Sequence, residues 1–130
     1  MPDPPAVSAQ VPATPPFIQV LRNVAAGVAA RLDMPIDEIE ELRLAVTEAA
    51  SLLIDESTPA SLRLSVARRA NGVGVRISSD GMVDPWPSER ALGSWPWMVV
   101  KGLTDAVALE RDDDGSPSVA FSKHTGRVAR

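Results

Sequence analysis

Two helical stripes run almost end to end through the first half of the chain, and they restrict the fold more than any other feature. Phe17, Leu21, Val24, Val28 and Leu32 recur at spacings of three and four, the period of one helix face. Ile39, Leu42, Val46, Ala49 and Leu53 repeat the pattern a few residues later, with Leu44, Ala45 and Leu52 as a second strip beside it. Two amphipathic helices cover each other only in part, so a third surface must bury the rest. The second half supplies it. Leu62, Leu64 and Val66 alternate with Arg63 and Ser65, and Val73, Val75 and Ile77 alternate beyond Asn71-Gly72. Val107 and Leu109 match Val119 and Phe121 across Asp112-Asp113-Asp114-Gly115. Both patterns predict hairpins of half-buried strands.

The remaining elements follow from local signals. Residues 1–7 are expected to be a disordered tail, running into a short edge strand within Ala6 to Val11. Thr14 is the expected N-cap of the first helix, with Pro15 at its first position, where the missing N–H costs nothing. Asp37 is the expected N-cap of the second helix, with Glu40 completing an acidic capping box. Ser79 to Leu92 is irregular, and a third helix over Trp97 to Leu103 starts near Ser94. The predicted fold is an α/β sandwich (α+β): a mixed, mainly antiparallel sheet covered on one face by about three helices. Residues 8–124 form one domain, and residues 125–130 a C-terminal tail.

Composition narrows the chemistry. The 130 residues hold no Cys and a single His, His124. This excludes disulfides, thiolate catalysis, Cys-based zinc sites and multi-His metal sites. A formal charge of −4 argues against nucleic acid as a partner. No apolar run approaches the length of a membrane span, and no secretory signal is visible, so the expected location is cytoplasmic. All three Trp fall between Trp86 and Trp97.

Glu48 stands out because its helical neighbours are Leu44, Ala45 and Leu52. A carboxylate on an apolar strip is costly unless paired or protonated. It either lies at the strip's edge or pairs with Arg22 or Arg43, or else it is a catalytic base.

Pro12-Ala13-Thr14-Pro15-Pro16-Phe17, Val20 to Leu32, and Asp37 to Ala49 with Glu48 inside it resemble the anti-sigma factor serine-protein kinases. So do Val99 to Leu109 and Phe121-Ser122-Lys123. These bacterial regulators have the GHKL (histidine-kinase-type) ATPase fold. The resemblance covers roughly residues 8 to 124 and rests on the order and spacing of these segments. It implies a protein that sequesters a sigma factor and is released by an antagonist protein, expected as a homodimer. Active members also bind Mg-ATP and phosphorylate a serine of the antagonist, with Glu48 at the position of the base.

The nucleotide motifs depart from the family pattern. The Asn expected to hold Mg²⁺ one turn after Glu48 is Leu52, which has no oxygen to give. The adenine box places Ser79 at the Asp position and Gly81 on the first glycine. Asp80 serves only after a shift of one, and Val83 replaces the second glycine. The phosphate box falls on Ser94-Trp95-Pro96, with Gly93 as its remnant, and Pro96 has no N–H to offer. The expected lid is the short Met82 to Leu92. These departures predict little or no nucleotide binding, and no cofactor or metal; ATP and Mg²⁺ would be held only by a still functional site.

The Trp cluster has two readings, core filling of the vacated cavity or a partner anchor. Filling is preferred for Trp97 and exposure for Trp86. Gln19, Arg22 and Asn23 on the first helix match a family face for partner contacts, or are a solvated helix face. The expected function is sequestration of a sigma factor with little or no ATP binding. One alternative is an active serine kinase in which Glu56 or Asp55 supplies the displaced Mg²⁺ ligand. The other is a scaffold for a partner that is not a sigma factor.

Overall fold

The structure is a computed structural model that describes residues 6–125. Its elements run β1 (Ala6–Pro12), α1 (Pro15–Arg31), α2 (Ile36–Ser57), β2 (Ser61–Arg69), β3 (Gly72–Ser79), α3 (Glu89–Leu92), α4 (Trp95–Leu103), β4 (Ala106–Arg111) and β5 (Pro117–His124). β1 begins at Ala6, where the edge strand is expected, so the strand takes in the last two residues of the expected 1–7 tail. Residues 1–5 and 126–130 lie outside the described residues.

Among these residues the strands form one sheet of order β1-β2-β3-β5-β4. Every neighbouring pair is antiparallel, so the mixed element of the expected sheet is corrected. The cause is the last hairpin. The chain crosses from β3 over α3 and α4 to the far edge, and β4 there points the same way as β3. β5 then folds back into the space between them, so the two parallel strands never become neighbours.

Register aligns the apolar alternation into rows across the sheet. Ala9, Leu64, Ile77, Val119 and Leu109 lie side by side, as do Val66, Val75, Phe121 and Val107. The helices pack on this face and bury Leu21, Ala25, Leu42, Val46, Ala49 and Leu53 against it. The stripe of α1 is rotated from the expected one. Ile18, Leu21, Ala25 and Ala29 are buried, Val24 and Val28 flank them, and Phe17 is exposed. Alanines at the centre let the helix approach its neighbours closely, which puts the larger residues on the flanks.

The start of α2 also differs. Pro35 is the N-cap and Asp37 lies in the first turn, where its Oδ1 accepts from the Glu38 N–H at 3.1 Å. The expected Asp37–Glu40 box is therefore replaced by a carboxylate placed directly at the helix start, which suits the dipole. Of the second apolar strip, Ala45 and Leu52 are buried while Leu44 is exposed.

Candidate functional site

The family's nucleotide residues would converge between α2, the end of β3, and the segment from Met82 to α4. The direction of the helices follows from two contacts. Lys123 Nζ on β5 donates to Glu41 Oε1 at 2.6 Å and to the Leu103 carbonyl at 2.8 Å. That joins the start of α2 to the end of α4. At the opposite end Ser88 Oγ donates to Glu56 Oε1 at 2.6 Å, and Arg90 Nε lies 3.3 Å from Glu56 Oε2. α4 thus runs antiparallel to α2, with α3 against the last turn of α2.

Leu52 sits in this seam, only 1% exposed, in the same hydrophobic cluster as Trp86, Ala91, Trp97 and Val100. Glu48, one turn earlier, is half-buried. It pairs with neither Arg candidate. Arg43 Nη1 donates to Asn23 Oδ1 at 2.8 Å and Arg43 Nε faces Glu40 at 3.7 Å, while Arg22 Nη1 reaches Thr47 Oγ1 at 3.5 Å. The helix period explains this. Arg43 and Thr47 lie on the flank of α2 facing α1, and Glu48 lies on the flank facing α4.

The adenine-box residues are tied to the backbone around them. Ser57 Oγ donates to the Leu53 carbonyl at 2.6 Å, so the 2.6 Å contact between Ser57 and Ser79 has Ser79 Oγ as donor. Ser79 Oγ in turn accepts from the Gly81 N–H at 2.8 Å. A Cβ on Gly81 would collide with the Ser57 carbonyl oxygen. Asp80 turns away to the start of β2. Its Oδ1 accepts from the N–H groups of Ala60 and Ser61 at 2.8 and 2.9 Å, and its Oδ2 from Ser61 Oγ at 2.9 Å. The Ser61 N–H above all, then the Ser61 hydroxyl and the Ala60 N–H, hold the Asp80 carboxyl below its ordinary value.

At the start of α4, Ser94 is the N-cap and Gly93 the C-cap of α3. Ser94 Oγ accepts from the Trp97 N–H at 3.3 Å and donates to the Ala91 carbonyl at 2.7 Å, and the Met98 N–H goes to the Ser94 carbonyl. Pro96 has no N–H, so these bonds leave little of the first turn free for an anion.

The Trp cluster divides. Trp97 is buried, as preferred from sequence. Trp86, expected to be exposed, is 7% exposed and joins the core. This is a correction with a clear cause. Its ring finds an apolar slot, and Nε1 donates to the Glu110 carbonyl at 2.7 Å on the β4 edge, which satisfies the one polar atom of the indole. Trp95 is 70% exposed. Arg111 also holds the segment, donating from Nη2 to the Val83 carbonyl at 2.9 Å.

On α1, Gln19 is exposed. Arg22 is half-buried and reaches Thr47, while Asn23 is exposed and bonded at the surface to Arg43, so both are engaged with α2. Sequence reasoning missed the Glu56–Ser88 clasp and the Lys123 tie. Ser88 ahead of Glu89-Arg90 is an N-cap signal. Lys123 shares the period-2 parity of Val119 and Phe121, which marks it as inward-facing.

Residues 11–122 match the model of the histidine kinase-like ATPase domain. Over 122 residues, 90% of this chain and 68% of the relative, the chain is 33% identical to the anti-sigma-F factor RsbW of Mycobacterium tuberculosis (strain H37Rv). Over 66 residues it is 33% identical to the serine-protein kinase RsbW of Bacillus subtilis (strain 168). That match takes in 46% of this chain and 41% of the relative, less than half of the Bacillus protein. The sheet under α1, α2 and α4 and these matches agree: the chain belongs to the histidine kinase-like ATPase domain family and is a homologue of the RsbW anti-sigma factors and serine-protein kinases.

Proposed function

We propose that this chain is an anti-sigma-factor-like regulator that sequesters a sigma factor through protein contacts, with little or no use of nucleotide. The name of the Mycobacterium tuberculosis relative supplies the anti-sigma role. The observation that carries the rest is Leu52, an aliphatic side chain in the core at the Mg²⁺ position. Mg²⁺ requires hard oxygen ligands in near-octahedral geometry, and the residues present do not fit it. Glu56, the candidate for a displaced ligand, is engaged by Ser88 and Arg90, and Asp55 is exposed two turns beyond Glu48. Asp80, the one carboxylate near an adenine position, is engaged by the β2 backbone. No catalytic step through ATP is therefore derived. Release by an antagonist protein and a homodimeric state belong to the same reading. Among the described residues no helix is long and apolar enough to cross a membrane.

Tagged protein pulled from a native bacterial extract without added nucleotide tests the role; recovery of a sigma factor, retained in Mg-ATP, is the expected result. Extract that yields no sigma factor overturns it in favour of a scaffold with another partner. The half-buried Glu48 favours one second reading, an active serine kinase. Phosphate transfer to an antagonist that disappears in Glu48→Ala would establish it.

A further inference from the structure

The outer side of the α2–α4 pair carries an unusual group of large apolar residues. Trp95 and Met98 on α4, Leu92 on α3 and Leu44 on α2 are all exposed. A single exposed hydrophobe needs no explanation, but four on three neighbouring helices do. Trp95 and Met98 are three residues apart and share a helix face. The antiparallel arrangement sets Trp95 towards the end of α2 and the last turn of α4 towards Glu41. Along α2, Glu41, Leu44, Glu48 and Asp55 fall on one flank, by the helical period, and that is the flank towards α4.

Charge on this surface is one-sided. Glu41 is matched by Lys123 and Arg90 by Glu56. Glu48, Asp55 and Glu89 have no such match, and among the described residues they make none of the ion pairs of the chain. Against these three carboxylates stands Lys101, which lies 5.7 Å from the Trp97 ring centroid. Exposed apolar residues on these helices together with carboxylates that have no ion-pair partner are complementary to an amphipathic helix with apolar residues on one face and Lys or Arg beside them.

We propose that the outer face of α2 and α4, formed by Leu44, Glu48, Leu92, Trp95 and Met98, is the docking surface for a basic amphipathic helix of a partner protein. This surface lies on the opposite flank of α2 from Arg22 and Asn23, so it is separate from the α1 face read from sequence. It rests on the sequestration reading only for the premise that the chain acts by binding protein. Trp95 is the anchor, since an exposed indole beside a thioether offers the largest area for burial at low entropic cost.

The test titrates the full chain with a synthetic amphipathic peptide of about 18 residues, five helical turns, carrying Leu on one face and Lys beside it. A peptide of the same length with Glu in place of Lys is the control. Tryptophan emission and calorimetry are the readouts. The expected result is a blue shift on binding the Lys peptide, with affinity falling roughly tenfold in Trp95→Ala and several-fold in Glu48→Gln. Thermal unfolding of Trp95→Ala should match the parent, since its side chain is exposed, and Glu48→Gln keeps the volume of its half-buried side chain. Equal binding of both peptides, no binding, or unaltered binding by Trp95→Ala overturns the proposal. So does a dimer in sedimentation that Trp95→Ala dissolves, because the occupant is then a second copy of the chain. Sigma-factor recovery is read in a separate experiment, so failure of one reading is distinguishable from failure of the other.

Discussion

The hydroxyl of Ser88 donates to Glu56 Oε1 at 2.6 Å, and with it the segment after β3 is fastened to the last turn of α2. The same Ser88 Oγ accepts from the Ala91 N–H at 3.0 Å and caps α3. One carboxylate, 7% exposed at its side chain, thereby orders a helix of one turn that would not persist alone. Removing it leaves the Ser88 hydroxyl and the Arg90 guanidinium without their partner. Glu56→Ala is expected to cost about 1–3 kcal/mol in urea unfolding, and amide exchange at residues 88–92 should accelerate more than exchange in α2.

Trp86 fastens the other side of the same segment to β4. Trp86→Phe keeps most of the ring volume but leaves the Glu110 carbonyl without its donor, an expected loss of about 1 kcal/mol. Trp86→Ala adds a cavity and should cost about 3–5 kcal/mol. Acrylamide should quench Trp95 strongly and Trp86 and Trp97 weakly, so Trp95→Phe removes most of the quenchable emission.

Leu52→Asn restores the side chain that the family uses for Mg²⁺, but places it in a closed apolar cluster. The expected outcome is destabilisation of about 2–4 kcal/mol by chemical unfolding, from the lost burial and the unpaired amide. Titration calorimetry with Mg-ATP should give no heat for either the parent or the variant. Micromolar binding by the parent chain would sink the nucleotide-independent reading.

Asp80 makes a prediction in acid. Its carboxyl is held below the ordinary value, chiefly by the Ser61 N–H. A group whose pKa is lower when folded contributes stability above its unfolded value, and that contribution is lost as pH falls through the folded value. The loss should therefore begin below about pH 4. Asp80→Asn should be less stable than the parent at neutral pH, and the difference should shrink towards pH 2 in a series of thermal unfolding curves.

Much of the fold was legible because it depends on short-range periodicity. The alternation of Val73, Val75 and Ile77, and of Val119 and Phe121, predicted strands that are present, and the last hairpin, expected to pair Val107 and Leu109 with Val119 and Phe121, sets Val107 opposite Phe121 and Leu109 opposite Val119. Thr14 and Pro15 marked the start of α1, and Ser94 that of α4. Errors arose where long-range packing chose among local options. Phe17 and Ile18 both continue a helical stripe, and only the position of the sheet and α2 decides which is buried. Trp86 between two prolines reads locally as loop, and only the approach of β4 supplies both a slot for its ring and a carbonyl for its N–H.

The site divides along the same line. Residue identity alone determined that position 52 offers no oxygen and position 96 no N–H, since those are properties of leucine and proline wherever they lie. Tertiary structure alone decided where the remaining polar groups turned. Asp80 satisfies the start of β2, Ser79 joins a hydroxyl chain to Leu53, Glu56 holds Ser88, and Glu48 stays half-buried on the flank towards α4. Hydrogen-bond partners separated by twenty or more residues meet only after the chain has folded, and no local pattern specifies which of them will be within reach.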